Sequence, residues 1–140
     1  MSGTENASLD GREASLHREY VLDVRIVEVR EDGESRYRFE APQHAGTAFD
    51  DAETAELYAD VYFDANGFQE EGTGPRGVPP EVVQAGKDTL AAYFLTRPGI
   101  DRNWMASFYG VKPAKVRRYV SWVRERADEV RAGVAERDLG

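Results

Sequence analysis

Residues 102–121, RNWMASFYGVKPAKVRRYVS, constrain the fold more tightly than any other stretch of the chain, because they read as two short helices joined by a turn at Gly110. Glycine enters the left-handed region at little cost, so one helix can stop there and the next can leave at a steep angle. Asp101 is a good N-cap for the first helix, and Ile100 and Met105 sit where a hydrophobic staple places its two apolar partners. Pro113 suits the first turn of the second helix, where a missing N–H costs nothing. Met105, Ala106, Tyr109, Val111, Val116 and Tyr119 then supply the buried contacts, with Ala106 small enough for close approach of the two helices. Lys112, Ala114, Arg117, Arg118 and Ser121 remain outside.

Ala106, Gly110 and Val116 form a frame of small residue, glycine and branched apolar residue whose spacing resembles the helix-turn-helix family of DNA-binding domains. The resemblance covers this motif and the helix before it. It implies that the second motif helix enters the major groove of double-stranded DNA. Carried over position by position, it turns Lys112, Pro113, Ala114, Arg117, Arg118 and Ser121 toward DNA, with Lys115 and Arg124 as further basic contacts on the same helix. Arg117 and Arg118 are suited to guanine edges or to phosphates. Trp104 and Trp122 have two readings, a stacking surface for exposed bases or packing in a core or interface, and their apolar neighbours favour packing.

The net charge of −8 argues against a nucleic-acid partner only if it is spread evenly, and it is not. Residues 1–80 carry 18 acidic and 7 basic side chains, whereas residues 81–140 carry 8 acidic and 11 basic ones. Within 102–126 seven basic residues face Glu125 alone. Lysine occurs only at Lys87, Lys112 and Lys115. This Lys-poor, Asp- and Glu-rich balance resembles proteins of salt-loving archaea, and a high-GC coding bias explains it equally well. At molar salt the Debye length is about 3 Å, so binding would rest on direct hydrogen bonds and close packing.

The chain has no cysteine and only two histidines, His17 and His44, which rules out disulfides and thiolate chemistry and leaves little for a histidine metal site. No apolar run has the length of a membrane span, and the polar, acidic first residues differ from a signal peptide, so a cytoplasmic protein without cofactor or metal is expected.

Residues 1–18 lack sustained periodicity and read as a flexible tail. Alternation at Leu22, Val24 and Ile26 predicts a strand over 20–30 that slips into a bulge, or is buried on both faces, at Val27 and Val29. Asp32-Gly33 is a hairpin turn signal, and Tyr37 and Phe39 point inward from a second strand over 36–40. An amphipathic helix follows over 50–65, with Ala52, Ala55, Ala59 and Tyr62 as its apolar stripe. Its carboxylates, from Asp50 to Asp64, are read as a solvated face rather than a metal site for nuclease chemistry. This helix is expected to cover the hairpin. The Gly- and Pro-rich stretch 67–80 is the candidate linker, and a helix over 81–96 with Gly86 in its middle supports the motif.

The expected fold is therefore α+β. A tail (1–18) precedes a strand-strand-helix module (19–66), a linker (67–80) and a three-helix helix-turn-helix domain (81–140) with an extended last helix. Val116, Val120, Val123, Ala127, Val130 and Val134 recur along that helix at spacings of four and three. The protein's own core, or a second copy through Val123, Ala127, Val130 and Val134, has to cover this stripe; a symmetric dimer meets DNA half-sites about 34 Å apart. The expected function is non-enzymatic binding of double-stranded DNA, as in a transcriptional regulator, with the helix 112–126 as reader. The alternative is an antitoxin-like or assembly module that uses the helices as a scaffold for a protein partner.

Overall fold

The structure is a computed structural model that describes residues 8–9, 12–42, 44, 46–68 and 78–139. The chain divides into two compact units, 1–56 and 57–140.

The first unit is an antiparallel sheet of five strands in chain order: β1 (Ser8–Leu9), β2 (Arg12–Glu19), β3 (Arg25–Glu31), β4 (Glu34–Glu40) and β5 (Thr47–Phe49). The β3–β4 hairpin closes on Asp32 and Gly33, both at positive φ (54° and 81°), which is the turn whose twist matches that of the flanking strands. Val24, Ile26, Phe39 and Phe49 are buried.

Two expectations change here. The predicted tail contains β2, which pairs with β3 from Arg12↔Glu31 to Glu19↔Arg25. Its side chains offer little apolar pattern, so the backbone ladder with β3 carries it. Residues 1–7 of the predicted tail lie outside the described residues. The expected strand over 20–30 begins only at Arg25, because Leu22 and Asp23 take positive φ (63° and 59°) in the turn from β2. The register shift falls in β2, between Leu16 and Arg18, while β3 pairs regularly with β4 through Val27 and Val29.

Helix α1 (Ala52–Asp64) starts at Asp51, whose Oδ1 accepts a hydrogen bond from the Thr54 N–H at 2.7 Å. The unit boundary falls inside this helix, after Glu56, so the strand-strand-helix module expected over 19–66 is not a compact unit. The reason is what the second half of α1 touches. Tyr58 packs against Phe68 and Tyr93, and the Arg131 guanidinium sits 5.1 Å from the centre of the Phe63 ring. Phe68 and Pro79, at the two ends of the expected linker, are both buried; residues 69–77 of that linker lie outside the described residues.

Four more helices complete the second unit: α2 (Pro80–Ala85), α3 (Lys87–Leu95), α4 (Arg102–Tyr109) and α5 (Pro113–Leu139). The single helix expected over 81–96 is two, broken at Gly86 with φ 126° and ψ 172°, a conformation that only glycine adopts readily. The valine stripe is covered within the chain: Val116, Val123, Ala127 and Val134 are buried and Val130 is half-buried. The expected second copy therefore has no free valine seam on which to dock.

Candidate nucleic-acid interface

Helix α4 is capped at both ends by the residues that sequence rules select. Asp101 Oδ1 accepts from the Trp104 N–H at 2.8 Å, satisfying one orphan donor of the first turn. At the other end Gly110 takes φ 69° and ψ 35°, its N–H reaches the Ser107 carbonyl at 3.2 Å, and the Val111 N–H reaches the Ala106 carbonyl at 2.9 Å. These are the two bonds of a Schellman turn. Three residues later Pro113 opens α5, whose first carbonyl, that of Lys112, accepts from the Lys115 N–H at 2.9 Å.

Ala91 of α3, Met105 and Ala106 of α4, and Val116 and Tyr119 of α5 are buried in one cluster, with Ile100, Tyr109 and Val111 packed against it. The three residues of the expected frame thus have their expected roles: Ala106 and Val116 in the core, Gly110 in the turn.

Of the eight residues expected to face DNA, Lys112, Pro113, Ala114, Arg117, Arg118, Ser121 and Arg124 are exposed and Lys115 is half-buried. They differ in what they touch. Arg117 and Arg118 form no ion pair among the described residues. Arg124 is partly committed elsewhere, with Nε 3.5 Å from Asp60 Oδ2. The Lys115 ammonium lies 5.2 Å from the Trp122 ring centre and 5.8 Å from that of Tyr119, in cation–π range. Lys112, Arg117 and Arg118, with Ser121 beside them, are therefore the part of the basic helix least engaged by the protein itself.

No family model, curated protein or solved structure matches this chain. The chemistry of the site rests on its own geometry.

Position along α5 suits Arg126 and Arg131 to ion pairs with Glu125, Asp128 or Glu129 of the same helix. Only the Arg131–Asp128 contact fits that description. Arg126 instead grips Asp64 with Nε at 2.8 Å and Nη2 at 3.0 Å, and its Nη2 is also 2.9 Å from Asp88. These carboxylates hold its guanidinium protonated more firmly than an ordinary arginine, the Asp64 hydrogen bond being the largest cause. Arg131 Nη1 lies 3.0 Å from Asp60 Oδ1. The acidic series on α1 is therefore not a solvated face at its C-terminal end: Asp60 and Asp64 are packed against α5 and paired with its arginines. Among the described residues no cluster of His, Asp and Glu is arranged to hold a metal ion.

The tryptophans and Phe108 are surface residues. Trp104 is 46%, Phe108 64% and Trp122 39% exposed, so none is a core residue. Trp104 and Phe108 lie one turn apart on α4 with ring centres 5.2 Å apart and planes 13° from parallel. Tyr109 donates its O–H to the Lys87 carbonyl at 3.0 Å, and burial, helped by Tyr119 and Asp88, holds that proton more tightly than in an ordinary phenol. The apolar neighbours of Trp104 and Trp122 favour packing in a core or interface, and their exposure excludes the core. The i, i+4 pair of bulky rings at 104 and 108, set off the Met105–Ala106 stripe, was the signal available to find the exposed face.

No described helix is long and apolar enough to cross a membrane.

Proposed function

We propose that this chain binds double-stranded DNA, with the N-terminal half of α5 lying in the major groove, and that it acts without catalysis as a regulator of transcription. The observation that carries this reading is the exposed basic group of Lys112 in the turn and Arg117 and Arg118 on α5. It is presented by a helix packed behind a glycine turn through the Ala106–Val116 core, in a chain whose net charge is otherwise strongly negative. Two arginines in sequence on such a helix suit one bidentate base contact and one phosphate contact. An antitoxin-like role through the valine stripe has less support, since that stripe is buried within the chain.

The test is fluorescence anisotropy of labelled random-sequence duplex DNA, followed by selection of the bound fraction, at low and at high salt. The Arg117→Ala, Arg118→Ala variant loses about ten-fold or more in affinity for the selected duplex while keeping its circular dichroism. Equal affinity of wild type and variant overturns the proposal.

A further inference from the structure

Five aromatic rings run in a row across α4 and α5. Trp104 stacks on Phe108, Phe108 lies 5.9 Å from Tyr109, Tyr109 lies 6.0 Å from Tyr119, and Tyr119 lies 5.9 Å from Trp122. The two ends of the row are open to solvent and the two tyrosines between them are partly or fully covered. Two of the three lysines of the chain lie over its rings: Lys87 over Tyr109 at 4.9 Å, and Lys115 over Tyr119 at 5.8 Å and Trp122 at 5.2 Å. Of the acids beside the row, Asp88 is paired with Arg126 at 2.9 Å and Asp101 accepts the Trp104 N–H as the cap of α4.

We infer that this row is a binding surface for single-stranded nucleic acid, with unpaired bases stacking on the Trp104–Phe108 pair and on Trp122, and lysines meeting the backbone phosphates. Exposed ring faces alternating with cations are what sequence-independent recognition of a single strand requires, because every base has a π-face and every nucleotide carries one negative charge. A protein groove of the usual helix-docking kind would be lined with aliphatic side chains. Here the exposed large apolar side chains of α4 and α5, among the described residues, are all aromatic. The Trp104–Phe108 end of the surface lies on α4, which carries neither Arg117 nor Arg118, so it is tested apart from duplex binding.

Trp104 and Trp122 are the only tryptophans, so stacking is read directly from tryptophan emission. The full chain is titrated with oligo(dT) and with oligo(rU), which separate DNA from RNA, and with the selected duplex. Two variants are compared, Trp104→Ala with Phe108→Ala, and Arg117→Ala with Arg118→Ala. The expected result is quenching by at least one of the single strands. The aromatic variant, folded by circular dichroism, should bind that strand about ten-fold or more weakly and keep duplex affinity, if wild type has any. The arginine variant shows the reverse pattern, so failure of one proposal is distinguishable from failure of the other. Absence of quenching and of binding by both oligonucleotides overturns the inference. So does an equal loss of single-strand and duplex affinity in the aromatic variant. A wild-type dimer in sedimentation that dissociates in the aromatic variant, with no single-strand binding, overturns it in favour of a second copy on this surface.

Discussion

Asp64 on α1 and Arg126 on α5 meet through two parallel hydrogen bonds, Nε to Oδ1 at 2.8 Å and Nη2 to Oδ2 at 3.0 Å. The Thr89 hydroxyl on α3 donates to the same carboxylate at 2.6 Å, so one acid ties three helices together. The Asp64 side chain is 4% exposed and that of Arg126 is 41% exposed. Removing the cation leaves a buried carboxylate with only a neutral donor, which is the costly direction in which to break such a pair. Arg126→Met is expected to lose about 2 kcal/mol of stability, toned down from a fully buried pair because the arginine reaches solvent. Urea unfolding checks this through a lower midpoint at constant slope.

The neighbouring acid predicts a pH dependence. Burial raises the pKa of Asp60 above 3.8, and Arg131 and then Arg124 only partly counter it. In the window between the unfolded value and the raised folded value the native state holds more protons than the unfolded one. The stability contributed by this group is therefore lost as pH rises through that window and regained as it falls. Asp60→Asn does not titrate, so the stability of wild type relative to this variant should improve as pH drops from 7 toward the ordinary carboxylate range. Urea midpoints of both proteins across that range give the comparison, and a relative loss for wild type on acidification contradicts the assignment.

The local signals in the sequence were legible because they obey rules confined to a few residues. Asp101, Gly110 and Pro113 mark helix ends, and Asp32-Gly33 marks a hairpin, whatever the rest of the chain does. Asp60 and Asp64 were misread for the opposite reason: a carboxylate on a helix looks solvated until its partner is known, and Arg126 and Arg131 are far along the chain. Strand β2 was missed because its side chains carry little alternation, and its order comes from a ladder with β3. The aromatic row was invisible for both reasons, since Trp104 and Trp122 belong to different helices and their exposure is set by how α4 and α5 pack.

Gly86 and Gly110 both have positive φ, and they should differ in what an added methyl group costs. At Gly110 a Cβ meets nothing within 4 Å and the left-handed region is open to other residues at moderate cost, so Gly110→Ala is expected to lose about 1 kcal/mol. At Gly86, with φ 126° and ψ 172°, the backbone lies where only glycine is comfortable, and a Cβ comes within 3.4 Å of Asp88 Oδ1. Gly86→Ala should lose about 2 to 3 kcal/mol. Thermal unfolding of the two variants ranks them, and a larger loss at Gly110 contradicts the assignment of Gly86 as the true break between α2 and α3.

Lys112 and Arg118 should separate phosphate contact from base reading. Lys112 lies in the turn before α5; in the proposed docking its side chain would meet the DNA backbone rather than a base edge, its ammonium acting as a point charge. Lys112→Ala is therefore expected to weaken duplex binding by a similar factor on every sequence and to reduce the slope of log affinity against log salt by about 1. Arg118 lies on the exposed face of the helix, and its planar guanidinium can pair with a guanine edge. Arg118→Ala should cost about ten-fold or more on the selected sequence and much less on random duplex, narrowing the ratio between them. Anisotropy titrations of both variants on both duplexes at several salt concentrations distinguish the two behaviours. If Arg118→Ala leaves the ratio unchanged, α5 lies along the backbone without reading bases; if Lys112→Ala leaves the salt slope unchanged, the turn does not touch phosphate.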